Sequence, residues 1–278
     1  MSGVFVDATA VSRIVTATSP GDVGGAATTR FAADVKPGWD IGGNANGGYL
    51  LAIAGRAMAE AVGRPPVTVT AHYLRPAPAG PCEVEVTTVR SGRRFATATA
   101  TLTMQAGQVL QLVGTFGEQT PGGPSLTRED PVDLPDYDDC EVPPSPTDGP
   151  GPEMFRRLAV RVRPGDEGFR TGNPSGSAEI RGWFAFADGE PIDAIGLLLV
   201  ADAFPPPIFN TDLPVAWVPT VELTVHVRGV PTPGPLRCWF RSRFVHDGLL
   251  DEEGEIWDST GQLVAQSRQL ALFPRPPA

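Results

Sequence analysis

The sequence predicts an α+β fold made twice over, each copy an antiparallel sheet wrapped around one central helix. Three observations predict it. The segment TAHYLRPAPAGP from Thr70 returns as TVHVRGVPTPGP from Thr224, so that Thr70, His72, Gly80 and Pro81 become Thr224, His226, Gly234 and Pro235. The displacement is 224 minus 70, or 154, and it also carries Gly107-Gln108 onto Gly261-Gln262. A single offset held over nearly 40 residues marks a duplication. Each half then offers one apolar segment of helical length followed by alternating strands. Finally, 32 Gly and 30 Pro favour many short elements separated by turns over long helices.

In the first half, the strand TTRFAADV precedes the helix GGYLLAIAGRAMAEAVG. The strands VTVTAHYL, CEVEVTTVR, FATATATLTM and VLQLVGTF follow. In the second, AEIRGWFAFA precedes the helix PIDAIGLLLVADAF, followed by VELTVHVR, LRCWFRSRFV, GEIWDS and QLVAQSRQLALF. The second helix is apolar almost all round and is expected to be buried on most sides. One helix wrapped by four or five antiparallel strands is the hot-dog architecture, and two such units can join their sheets edge to edge, removing an exposed edge. The expected division is residues 1–117, a linker at 118–152, and residues 153–278. The stretch 118–152 is rich in Pro, Gly and Asp and without periodicity; it reads as a linker or as a long ordered loop across the surface.

Composition narrows the function. The chain has 278 residues, 41% hydrophobic and 19% charged, ordinary for a globular protein. Its net charge of −10 and lack of a basic cluster argue against a nucleic-acid partner. Cys82, Cys140 and Cys238 are widely spaced, which fits a reducing compartment and neither a disulfide framework nor a zinc site. The N-terminus lacks the pattern of a signal peptide, and no apolar run has the ~20 residues of a membrane span, so a cytoplasmic location is expected.

The common catalytic signatures are missing. GGNANGGY matches neither a P-loop nor a GxGxxG in a βαβ unit, and GxSxG and HExxH do not occur. His72 and His226 read as packing residues within strands. The acidic run from Asp247 to Asp258 fits no EF-hand spacing and reads as a solvated hairpin. Asp202 is different. It ends the apolar run IGLLLVADAF, just before Pro205-Pro206-Pro207, where a carboxylate is poorly solvated and sits at the negative end of its helix. It either caps a neighbouring loop or serves function. Gln269 shares one strand face with Leu263, Ala265, Ser267 and Ala271 and is expected to point inward, either for a sheet-to-loop hydrogen bond or for chemistry. Thr220, entering its strand after Pro219, would by itself be an ordinary strand residue. At the 154-residue displacement these three fall on Gly48, Pro66 and Thr115, so the first half has no equivalent set and reads as a degenerate copy.

The chain resembles the acyl-CoA thioesterase II family of sequential double hot-dog proteins, over roughly residues 30–117 and 175–273. The motifs that carry the resemblance are GGNANGGYLLAIAGRAM, HYLRPAPAG and VRSGRRF in the first half. In the second they are LLLVADAF, VPTVELTVHVR and LVAQSRQLAL. It implies hydrolysis of an acyl-CoA to a free acid and CoA, with a catalytic set falling on Asp202, Thr220 or alternatively Thr224, and Gln269. These would hold one water, with Asp202 as general base or electrostatic orienter. Backbone amides of the Gly42–Gly48 turn, Gly47 and Gly48 among them, are candidates for the oxyanion. Arg90, Arg93 and Arg94 form the best local cluster for CoA phosphates, or else an exposed charged hairpin. No metal or organic cofactor is called for, and a homo-oligomer is expected. Two other readings stand beside it: a non-catalytic acyl-CoA binding protein, and a hot-dog hydratase or dehydratase. The last would need a His paired with an acid, whereas position 207, close to Asp202, is proline.

Overall fold

The computed structural model describes residues 3–14, 28–119, 126–143, 151–214 and 217–273. The first half contributes α1 (Val4–Ala8), β1 (Val11–Ile14), β2 (Thr28–Val35), β3 (Asp40–Ile41), β4 (Asn44–Ala45), α2 (Gly47–Val62), β5 (Pro66–Tyr73), β6 (Gly80–Ser91), β7 (Phe95–Met104) and β8 (Gly107–Gly117). After the connection come β9 (Arg161–Val162), β10 (Glu179–Phe184), α3 (Gly196–Val200), β11 (Thr220–Val227), β12 (Leu236–Arg241), β13 (Val245–His246), β14 (Leu249–Trp257) and β15 (Leu263–Leu272).

All described strands except β3 and β4 join one 13-stranded sheet in the order β1-β2-β6-β7-β8-β5-β11-β15-β14-β12-β10-β9, with β13 on β14. The order reads as one half followed by its mirror. The seam is the antiparallel pair β5–β11, where Thr70 lies opposite Thr224 and their hydroxyls are 2.8 Å apart. Those two residues are equivalent in the repeat, so a pseudo-twofold axis passes between them. Joining the halves here spends one edge of each sheet on the other.

Helix α2 forms as expected: it is Ala- and Leu-rich, begins at an Asn46 cap, and stops at Gly63, whose φ of 70° no residue with a side chain adopts easily. It packs against β2 and β5–β8 of the sheet, buried along Tyr49–Ala54 and at Ala57 and Met58. Its apolar residues have two jobs, facing the sheet on one side and α3 on the other. Gly55 permits the second contact, since a Cβ there would fall 2.5 Å from a Leu198 methyl.

The second helix is shorter than expected. Only Gly196–Val200 is α-helical, and the chain then tightens, with the Asp202 N–H on the Leu199 carbonyl at 3.0 Å. The proline run at 205–207 removes the amide donors that a further turn would need.

Part of the stretch at 118–152 is ordered across the second half. The Pro135 carbonyl accepts from the Trp183 indole at 3.0 Å, the Tyr137 hydroxyl donates to the Ala159 carbonyl at 2.9 Å, and Glu141 bridges to Val162. Residues 120–125 and 144–150 of that stretch lie outside the described residues.

The N-terminal segment ties the halves together. Carboxylates of Asp188 and Glu190, from the second half, accept the first N–H groups of α1 at 2.8–3.0 Å. Phe5 stacks on Phe186 at 4.8 Å and meets the edge of Trp39 at 5.8 Å. Phe5→Ala empties a site that is 2% exposed. It is expected to cost about 3–5 kcal/mol, read as a lower midpoint in urea unfolding; a shift below about 1 kcal/mol would show that α1 is dispensable to the fold.

Candidate active site

The motif GGNANGGY builds one end of α2. Gly42 and Gly43, with φ of 61° and 84°, form the two-residue turn of the β3–β4 hairpin, a conformation suited to glycine. The hairpin hands the chain to Asn46, whose Oδ1 accepts from the Tyr49 N–H at 2.9 Å and caps the helix. The Asn46 amide Nδ2 is then free to donate outward. It reaches the Asp202 carbonyl at 2.8 Å and the Asp202 carboxylate Oδ2 at 3.0 Å.

Asp202 therefore does not sit merely at the negative end of its own short helix. Its carboxylate is turned onto the positive end of α2, where the Gly48 N–H donates to Oδ2 at 2.8 Å. Close approach requires glycine. A Cβ on Gly48 would lie 2.8 Å from the Leu199 carbonyl and 2.9 Å from the Asp202 Cβ; one on Gly47 would lie 2.9 Å from Oδ2. Gly48 and Asp202 are also the repeat-equivalent pair, so the contact lies on the same pseudo-twofold axis as Thr70 and Thr224. The site is thus built between the halves, and the first half is not idle.

Thr220 reaches the site through a β-bulge. Beyond Glu222, paired with Leu270, the register with β15 slips so that Thr220 lies opposite Ala271. Without the slip Thr220 would share the outer face with Glu222 and Thr224; the bulge turns it to the side of Gln269 and Ala271. This distinguishes the two threonines. Thr220 lines a cavity with Asp202 and Gln269, whereas Thr224 faces the outside of the sheet with its hydroxyl on Thr70. Gln269 points inward and is 6% exposed, and its Oε1 has no hydrogen-bond partner among the described residues.

The cavity holds about 440 Å³ and runs between α2, the β5–β11 seam and the segments around 152–155, 169–170 and 204–209. Leu50, Phe155, Phe169, Phe204 and Phe209 make its wall largely apolar. Its polar lining includes Asn46, Tyr73, Asp202, Thr220, Glu252 and Gln269. Burial raises the Asp202 carboxyl from its usual value of 3.8 to about 6, although hydrogen bonds from Gly48, Asn46 and Gly47 favour the anion. Desolvation is the larger effect. Tyr73, whose hydroxyl donates to the Gly47 carbonyl at 3.0 Å, is held neutral by burial and then by Asp202 and Glu222.

Two sequence expectations, on the acidic run and on the histidines, need correction, and the structure places two further groups of expected site residues. The acidic run is not a solvated hairpin: only its two ends lie in turns, and Leu249–Trp257 is a strand inside the sheet, between β12 and β15. Its alternation puts Leu250, Glu252, Gly254 and Ile256 on the core side, which brings Glu252 into the cavity. Arg90, Arg93 and Arg94 surround the β6–β7 hairpin near the C-terminal end of α2, where Arg64 donates to the Gly92 carbonyl. Asp202 is at the other end of a 16-residue helix, about 24 Å long. The arginines in the cavity wall are Arg75 and Arg170. His72 and His226 are exposed on the outer face rather than packed. The N–H of Gly48, expected to face an oxyanion, is taken by Asp202. Asn46, Tyr73 and Glu252 were not singled out by sequence. The repeat offset gave a signal for the first, because Asn46 lies two residues before the Gly48 that answers Asp202. Among the described residues, no group of three or more His, Cys, Asp or Glu side chains is placed to hold a metal ion.

A helix wrapped by an antiparallel sheet, doubled about an axis with a carboxylate against the helix N-terminus, defines a double hot-dog protein. Comparison with known proteins is more specific. Residues 35–117 match the acyl-CoA thioesterase N-terminal domain and residues 137–273 the acyl-CoA thioesterase C-terminal domain; the chain belongs to the acyl-CoA thioesterase family. It is an acyl-CoA thioesterase, a hydrolase of thioesters. An uncharacterized protein of Mycobacterium tuberculosis is 29% identical over 91% of this chain and 94% of its own. The structure superposes on a proposed thioesterase II from Thermobifida fusca with a TM-score of 0.85 at 29% identity, covering 98% of both chains. The fold is also that of a protein of unknown function with a hot-dog fold from Alicyclobacillus acidocaldarius (TM-score 0.80, 24% identity, 100% of both chains). The acyl-CoA thioesterase II TesB2 of Mycobacterium marinum shares the fold as well (TM-score 0.67, 16% identity, 98% of both chains).

Gly48→Ala tests the cradle. The added methyl must push backbone against backbone, so the Gly48–Asp202 bond is expected to lengthen and thioester hydrolysis to fall at least about tenfold, one lost hydrogen bond to a charged group. Wild-type turnover in this variant would mean that the contact does not set the site.

Proposed function

We propose that Asp202, Thr220 and Gln269 hold the water that hydrolyses the thioester. The observation that carries this is their meeting in one apolar cavity, with Asp202 fixed through Oδ2 by the N-terminus of α2. A water has two protons and two lone pairs. Asp202 Oδ1 and Thr220 Oγ1 accept the protons, the Gln269 amide N–H occupies one lone pair, and the other is aimed at the thioester carbon. Asp202 takes a proton as the C–O bond forms, the C–S bond breaks, and the departing thiolate recovers that proton. The division of labour follows the repeat: residues 1–117 supply the cradle, residues 153–278 the water ligands, and 118–152 connects them. The acyl group lies among the phenylalanines, and Arg75 and Arg170 in the cavity wall join Arg90, Arg93 and Arg94 as candidates for the CoA phosphates.

No histidine lines the cavity among the described residues, which disfavours a hydratase that needs a His–acid pair. The binding-protein reading is tested by thiol release from short, medium, long and aromatic acyl-CoAs with wild type and Asp202→Asn side by side. The variant is expected to lose about 100-fold or more in kcat while KM changes little. Equal turnover in both would remove Asp202 from the reaction.

The pH dependence has a definite sign. A base must be ionised, and Asp202 is ionised above about 6. Activity is therefore expected to be present above that pH and lost as pH falls through it. An acid limb near 4 instead would mean that the essential group is an ordinary exposed carboxylate.

A further inference from the structure

Glu252 lies opposite Gln269 in the β14–β15 register. Both side chains are on the core side, 8% and 6% exposed, and both line the cavity. Side chains so opposed have Cβ atoms about 5 Å apart, within reach of one hydrogen bond for a Glu and a Gln. Each lacks something the other can supply. Gln269 Oε1 is buried without a donor, and Glu252 makes no hydrogen bond or ion pair among the described residues. The nearby arginines are committed elsewhere: Arg241 pairs with Glu253 and Glu255, and Arg243 with Glu253, on the outer side of the strand.

We propose that Glu252 is a positioning residue: as a carboxylic acid it donates its O–H to Gln269 Oε1, which turns the Gln269 amide N–H groups toward the reacting water. The inference rests on the water-holding reading of Gln269 and gives it an orientation. An amide presents a donor or an acceptor depending on which way it is turned, and the water in that scheme needs a donor. A neutral acid at position 252 selects the donor. A carboxylate there would attract the amide N–H and present Oε1 to the water, which has no proton left to give it.

The surroundings favour the acid. Burial, then the charges of Asp202 and Asp251, hold the Glu252 carboxyl well above the usual carboxylate range. Asp202 faces it from the turn after α3, and Asp251 precedes it on β14. Across the cavity stand Tyr73, neutral as described, and Arg75 and Arg170, the latter 3.1 Å from Glu167. One site thus holds a carboxylate that must be charged beside a carboxyl that must not be, with Asp202 ionising first.

The test is the pH profile of kcat and KM, from pH 5 to 10, for wild type, Glu252→Gln, Glu252→Ala and Asp202→Asn on one acyl-CoA. Wild type is expected to rise through about 6 and to fall on the alkaline side as Glu252 ionises. Glu252→Gln keeps a donor that cannot ionise, so it should keep the acid limb, lose the alkaline fall and stay within about fivefold of wild-type kcat at neutral pH. Glu252→Ala leaves Oε1 unsatisfied and should lose about tenfold in kcat with KM within about twofold. An alkaline fall in Glu252→Gln parallel to that of wild type, or wild-type kcat in Glu252→Ala, overturns the proposal. Should Glu252→Ala fail to fold, the alkaline limb of Glu252→Gln decides alone. The Asp202→Asn arm separates the two levels: if it loses turnover while both Glu252 variants behave as wild type, the water-holding reading stands and this inference fails. If Asp202→Asn turns over normally, the reading beneath it fails as well.

Discussion

One hydrogen bond, from the Gly48 N–H to the Asp202 carboxylate, organises the site where the two halves of the chain meet. It joins a residue to its own repeat equivalent, so it lies on the axis that relates the halves, as do the paired hydroxyls of Thr70 and Thr224. Much else follows from it. Glycine is needed at 47 and 48 so that α2 can approach the turn after α3, and Asn46 must both cap α2 and donate to Asp202. The helix is apolar through Tyr49–Ala54 because it packs there against both the sheet and α3, and it carries Arg56 and Glu60 further on. A duplicated protein that kept its symmetry would place two like groups on that axis. Here one half provides an anion and the other the helix end that receives it.

Placing a carboxylate in an apolar cavity costs stability, and the structure limits that cost without removing it. The helix N-terminus and Asn46 favour the anion, yet burial still lifts the Asp202 carboxyl to about 6. That balance suits a base working near neutrality: stronger compensation would make it too weak a base, and none would leave it protonated. The apolar wall that causes the shift also offers the surface on which an acyl group can lie.

Much of the fold was legible because it rests on local rules. The period-2 strands, the Ala-rich helix ending at Gly63, and the constant displacement of 154 all survive in the structure. Asp202 and Gln269 stood out as polar groups in apolar runs, and both line the cavity. What was hidden depends on partners distant in sequence. Glu252 sits among Asp251, Glu253 and Glu255, and such a run looks solvated until strands on both sides bury alternate members. The choice of Thr220 over Thr224 depends on a one-residue bulge. The arginines that line the cavity, Arg75 and Arg170, come from separate segments, whereas the cluster that is visible in sequence lies at the far end of α2.

The most direct measurement is a carboxyl titration followed by carbon-13 NMR, with aspartate side-chain carboxyls labelled, in wild type and in Asp202→Asn. One wild-type resonance is expected to titrate near 6 and to be missing from the variant. A wild-type spectrum in which no aspartate titrates near 6, or a resonance near 6 that survives in Asp202→Asn, would contradict that assignment.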